Sequence, residues 1–250
     1  MTDRSTCFAL AVLLGAASAF FSAQAQSLTG TQGLITVPTA RMHADGTLAI
    51  GSGYVSSRHS TYQPTEARPA RAYVPAYASL TLLPSVEVGF RFSRALDTGT
   101  AEALGDRMFL VRVRVLEEGD IVPAVALGAH DFLRSSEQVT AHFSALYVVA
   151  SKRVVRGGPA FLRGASVHVG YGSDVFEAKA HQFVGLFGGL DVPLFQSDGG
   201  IVRNWRVLAE YDGETVTVGQ RLGLGPGVNL TAGLQGFDAP IVGATWETTL

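Results

Sequence analysis

The chain has 250 residues, with 19 Lys and Arg against 21 Asp and Glu; 16% are charged and 47% hydrophobic. The charge lies below the roughly 25% usual in soluble domains, and the mean hydropathy is +0.23. This composition excludes a disordered chain, and a net charge of -2 supplies no surplus to neutralise phosphates, so no nucleic-acid partner is expected.

Residues 1–25 read as a secretory signal peptide. Arg4 is the positive start, Phe8 to Phe21 the apolar stretch, and Ala23-Gln24-Ala25 a small-x-small site that places the cut before Gln26. The apolar stretch is short for a membrane anchor of about 20 residues. Cys7 is the one cysteine of the chain and precedes that stretch, so lipidation at the cut is not expected. Residues 26–250 then hold no disulfide, cysteine nucleophile or cysteine metal site. Residues 26–46 read as a periplasmic lead-in or plug segment, ahead of a domain over residues 47–250.

That domain alternates with period two, the signature of strands rather than helices. Val86, Val88, Phe90 and Phe92 alternate with Glu87, Gly89 and Arg91; Phe109, Val111, Val113 and Val115 alternate with Arg112 and Arg114. Val167, Val169 and Tyr171 alternate with Ser166, His168 and Gly170, and Trp205, Val207 and Tyr211 with Arg206 and Glu210. About twelve such segments begin near Thr47, Ala72, Ser85, Arg107, Val122, Thr140, Arg163, Phe183, Arg203, Glu214, Gly227 and Pro240. Short turns (Leu83-Pro84, Glu117 to Asp120, Gly225-Pro226) alternate with longer polar loops (Ser56 to Arg71, Arg94 to Asp106, Phe132 to Val139, Ser173 to Gln182). Two places break the rule: Asp191 to Val202 reads as a long connection where a short one is due, and Asp212-Gly213 as a tight hairpin where a loop is due.

The expected fold is therefore all-β: a single antiparallel transmembrane β-barrel of about twelve strands in the outer membrane, behind a cleaved signal peptide. Ten or fourteen strands also fit the spacing. A secreted β-sandwich is the competing fold, disfavoured by the low charge and by Gly and Arg on the polar face. Alternation sends Glu87, Arg91, Arg112, Arg114, His168, Arg206, Glu210 and Arg221 into the lumen. They read either as a mutually paired network that rigidifies the barrel or as the contacts of a polar conduit or sugar-binding lumen.

Catalysis is not expected. His142 and Ser144 share a strand face, but the residues that follow offer no polar group to orient the histidine. Ser151 and Lys152 are adjacent and point to opposite faces. No histidine cluster or calcium-loop spacing is present, so no metal and no cofactor is expected.

An ordered series of segments resembles the YjbH family, which includes the GfcD-like proteins. It runs Gly30 to Leu34 with Pro38 to Ala40, Asp106-Arg107, Leu110 to Glu117, Pro123, Gly128 to Asp131, Tyr147 to Lys152, Gly170 to Gly172, Phe187 to Gly189 and Ala209 to Gly213. The resemblance implies an outer-membrane protein of exopolysaccharide biosynthesis and export, acting as accessory or conduit, with outer-membrane lipids, exopolysaccharide and other secretion-pathway proteins as partners. It brings no catalytic residues to carry over. Longer members of the family continue past the point matching Leu250, so the chain resembles their first barrel, and many are lipoproteins. A general porin-like or structural barrel is the alternative role, and a lipid- or glycan-modifying enzyme the third.

Overall fold

A computed structural model describes residues 25–60, 70–96, 106–132, 143–154, 164–176, 178–197 and 199–250. Twelve strands carry the fold: β1 (Thr47–Val55), β2 (Tyr73–Leu82), β3 (Val86–Ala95), β4 (Asp106–Leu116), β5 (Ala124–His130), β6 (Ala145–Arg153), β7 (Ser166–Ser173), β8 (Gly185–Gln196), β9 (Val202–Tyr211), β10 (Val216–Leu224), β11 (Val228–Gln235) and β12 (Ala239–Thr249). Each pairs antiparallel with its sequence neighbours, and β1 pairs with β12 from Thr47↔Thr249 to Val55↔Ile241, which closes the barrel. Closure leaves no strand edge with unpaired backbone groups.

Both ends of the barrel strands lie together at one rim, where the Leu250 amide donates to the Gly46 carbonyl at 3.0 Å. The turns 83–85, 117–123, 197–201 and 225–227 join strands at this rim. The ends at which β1 is followed by β2, β3 by β4, β5 by β6 and β7 by β8 lie at the opposite, loop rim, with the short turns 212–215 and 236–238.

Two expectations about segment limits change. β8 runs through Pro193 to Gln196, so the connection that reads as long is only 197–201. Proline cannot donate to the ladder, and the strand passes it by a register shift between Pro193 and Phe195. β6 begins at Ala145 and β7 at Ser166, later than the segments read near Thr140 and Arg163, two residues that lie outside those described. The tight turn at Asp212-Gly213 is present, with the Asp212 carboxylate accepting from the Thr215 amide at 2.7 Å and Gly213 at φ 105°.

The two faces of the wall differ as the alternation requires. Outward residues are mostly Val, Leu, Ile, Ala and aromatics, with Phe90 and Phe109 in edge contact at 5.4 Å. Among the described strand residues, outward charges stand only at strand ends: Arg94 and Arg107 at the loop rim, Lys152 and Arg203 at the turn rim. The outward Gln220 is hydrogen-bonded by the Trp205 indole at 3.0 Å.

Inside, three aromatic side chains lie over glycines. Tyr77 faces Gly51, Tyr147 faces Gly128 and Phe187 faces Gly170, each across one strand pair. A Cβ at any of these glycines would collide with the facing ring. The ring thus fills the space the glycine leaves and ties two strands together. Gly128→Ala should cost on the order of 1–3 kcal/mol by overpacking, lowering the temperature at which the purified barrel loses its compact electrophoretic mobility. Gly199→Ala, in open space, should leave that temperature unchanged.

Candidate functional site

The lumen is occupied by the chain's own residues 25–46. Residues 25–42 are buried except Thr36, which is half-buried. Their partners are inward side chains on β2, β3, β4, β6, β7, β9 and β10, on all sides of the barrel. Only a segment inside the wall can reach all of these. It is a compact knot rather than a strand: bridges join Gln26 to Gln32 and Gly33 to Pro38, and the Leu28 amide donates to the Ile35 carbonyl at 2.8 Å.

Irregular backbone in a closed interior leaves N–H and C=O groups that need partners. The inward charges supply them. The Glu210 carboxylate accepts from three successive amides, Ile35 at 2.8 Å, Thr36 at 2.8 Å and Val37 at 3.3 Å, and from the Thr36 hydroxyl at 2.6 Å. Glu87 accepts from the Gln26 side-chain amide at 2.7 Å and the Gln32 backbone amide at 3.2 Å. Arg112 pairs with Glu87 at 2.5 Å and donates to the carbonyls of Gln32, Thr39 and Arg41. Arg221 donates to the carbonyls of Gly33 and Leu34. Acids therefore hold plug amides and guanidinium groups hold plug carbonyls, all charge-assisted.

Smaller inward groups complete the seat. The Ser151 hydroxyl accepts from the Ala40 amide at 2.7 Å and is 2.8 Å from His168 Nδ1, and Arg41 donates to the Ser166 hydroxyl at 2.6 Å. Apolar plug side chains press on wall glycines: Leu28 on Gly53 and Gly243, Leu34 on Gly189, Ile35 on Gly219 and Gly233. A larger residue at those wall positions would displace the plug.

The eight lumen residues read from the alternation fall into distinct places. Glu87, Arg112, Glu210 and Arg221 converge on the plug. His168 reaches it through Ser151. Arg206 pairs with Asp191 on the neighbouring strand. Arg91 is fully buried but higher in the barrel, its guanidinium 4.1 Å over the Phe143 ring. Arg114 sits at the turn rim, donating to the Pro84 carbonyl at 2.8 Å, and is no part of the inner network. The sequence reading missed Gln26, Arg41, Ser79, Ser151 and Asp191. Ser79 and Ser151 had the right parity but no charge to mark them, Asp191 read as the start of a connection, and the plug residues had no periodicity.

The enzyme-like pairs resolve differently. Phe143 and Ser144 precede β6, and Ser144 forms an isolated bridge with His181, so Ser144 is not on a strand face. His142 lies outside the described residues. Lys152 points outward and donates to the carbonyls of Gly119, Asp120 and Val122, away from the buried Ser151.

At the turn end of the lumen, His43 Nε2 lies 4.0 Å from a Glu247 oxygen, both side chains about 8% exposed. Burial, with Arg112 and Arg221 nearby and only partly offset by Glu87, pushes the His43 imidazole down to about 4, so it is neutral at physiological pH.

With this geometry in view, the comparison with known families is decisive. Residues 25–215 match the model of the YjbH family, described as "Exopolysaccharide biosynthesis protein YbjH". The chain belongs to the YjbH family. No curated protein matches it. The matched span begins with the plug and includes Glu87, Arg112 and Glu210, so the plug and most of its clamp fall within the family's extent, while Arg221 lies beyond it.

Two outcomes follow for this YjbH-family barrel. Arg112→Ala leaves Glu87 buried without its cation and removes the guanidinium donor from three plug carbonyls, of which Gln32 keeps the Thr39 amide at 3.2 Å. It should cost about 3–5 kcal/mol, and residues 25–46 should become accessible to protease in the purified protein. Arg112→Ala combined with Glu87→Gln should lose less. The second outcome concerns pH. An unfolded histidine takes its proton near 6.5 and the buried His43 only near 4, so its contribution is present above pH 6.5 and is lost as pH falls toward 4. Thermal unfolding from pH 7.5 to pH 4.5 should fall less steeply for His43→Gln than for the native chain.

Proposed function

We propose that the protein is an outer-membrane barrel serving exopolysaccharide biosynthesis and secretion as an accessory, its lumen closed by its own N-terminal segment. The observation that carries this reading is the division of the wall. Outside is an apolar belt with charges confined to its two rims, as a lipid-facing surface needs. Inside, Glu87, Arg112, Glu210 and Arg221 are turned to the plug. Family membership supplies the pathway. On this reading residues 1–25 direct export and are removed, the turn rim faces the periplasm and the loop rim faces outward.

The filled lumen favours the accessory role over an open conduit or a general porin. Glu87, Arg112, Glu210 and Arg221 already hold backbone groups of the chain, so a passing polymer would meet them only after residues 25–46 had left.

Three measurements test this. The protein should fractionate with the outer membrane as a heat-modifiable band; recovery in the soluble periplasm would overturn the membrane assignment. In planar bilayers the native protein should be silent, and Arg112→Ala with Glu210→Ala should give intermittent conductance; steady native conductance would overturn the closed lumen. A deletion strain should release less polysaccharide while the complemented strain recovers; unchanged release and retention would remove the pathway role.

A further inference from the structure

A small cleft, with a cavity volume of about 50 Å³, opens to solvent at the loop rim, directly above the plug. Its floor belongs to the plug: Leu28, Thr29 and Thr36. Its walls come from the first connection (His59, Ser60), the segment before β8 (181–184), the β9–β10 turn and the end of β11. The site is therefore assembled from parts far apart in sequence.

Its chemistry is that of a polyol site. Tyr73 and Phe183 bring ring surfaces. Gln182, Gln235, Asp212 and Glu214 bring polar groups. Gln235 is only 6% exposed, lines the cleft, and its side-chain oxygen accepts no hydrogen bond. A buried acceptor without a donor is costly, and a hydroxyl donor arriving in the cleft would satisfy it. Asp212 uses one oxygen on its own turn, accepting from the Glu214 and Thr215 amides, and Glu214 is exposed. The lining includes two carboxylates and, among the described residues, no Lys or Arg; its two histidines are already engaged, His59 with Asp238 at 2.9 Å and His181 with the Phe176 carbonyl at 2.6 Å. An acidic ligand would be repelled; neutral hydroxyls would find acceptors.

The floor is mechanically tied to the clamp. The Thr29 hydroxyl donates to the Thr36 carbonyl at 3.1 Å, and Thr36 is held by Glu210 through both amide and hydroxyl. An occupant of the cleft thus rests on the plug residue that Glu210 anchors.

We propose that this cleft binds a segment of neutral saccharide, with the plug as its floor. The choice of saccharide rests on the exopolysaccharide reading above; the preference for a neutral one rests on the cleft's own charges. The test uses the purified full-length mature protein in detergent. Its probes are the neutral and acidic oligosaccharide pools from partial acid hydrolysis of the source strain's secreted polysaccharide, followed by saturation-transfer NMR. The neutral pool should give the signal, and Gln235→Leu and Glu214→Ala should each weaken binding at least fivefold. Thr248→Ala, on the outer face of β12, should bind as the native chain does. Unchanged gel mobility establishes that the variants are folded, and the exposed Glu214 provides a second arm if Gln235→Leu is not. No signal from the neutral pool, a stronger signal from the acidic pool, or full binding by the folded variants would each overturn the proposal. The secretion assay separates the two readings. A deletion that lowers release while the cleft fails to bind leaves the pathway role standing without this site. Binding without a secretion defect leaves the site standing without the pathway.

Discussion

A twelve-stranded barrel encloses more space than its own side chains fill, and the interior of this protein is organised by how that space is occupied. The occupant is irregular backbone, whose amides and carbonyls must all be satisfied away from bulk water. Arg112 answers most of that demand on one side, holding three plug carbonyls and Glu87 together. Glu210 does the converse on the far wall, gathering three amides and a hydroxyl. Peptide dipoles of the plug thus take the place of water around charges that would otherwise be expensive to bury. The charges and the plug each make the other tolerable inside the barrel.

The wall was legible in the sequence because its signal is local. Period-two alternation over Val86 to Ser93 or Arg107 to Leu116 needs no knowledge of neighbours, and it placed Glu87, Arg112 and Glu210 on the inner face. Asp191 to Val202 reads as a connection, whereas β8 continues to Gln196 and a bulge carries it past Pro193. Ser144 misled because alternation was extended backward over residues that do not belong to β6. The plug carries no period at all, so residues 26–46 read as a lead-in or a plug from their place before the first strand, and no pattern in them showed which wall residues they meet. Partners were equally out of reach: Glu87 and Arg91 look alike as inward charges on one strand, yet one meets the plug and the other an aromatic ring. That difference is set by height in the barrel, which single-strand patterns do not encode.

Membership of the YjbH family connects this architecture to exopolysaccharide biosynthesis. The closed interior directs attention away from the bore and toward surfaces. The loop rim offers a polar cleft floored by the plug. Among the described strand residues, the outer face offers a mostly apolar surface with cations at its rims. A role in which the barrel holds, positions or senses fits these surfaces better than one in which it transmits.

The order of the parts along the chain has a consequence for assembly. The seam that completes the wall joins β1 to β12, so the cylinder cannot shut until β12 has arrived. Residues 25–46 precede every strand and run directly into β1 at Gly46. They are the first described part to emerge, so they are available to lie within the nascent curl of sheet when its two margins meet. The knot is then less a stopper pushed into a finished tube than a core around which the tube is wrapped. Contacts between residues as distant as Ile35 and Glu210 would make such wrapping slow. They also give the growing sheet an interior template that fixes its curvature before the last strand docks.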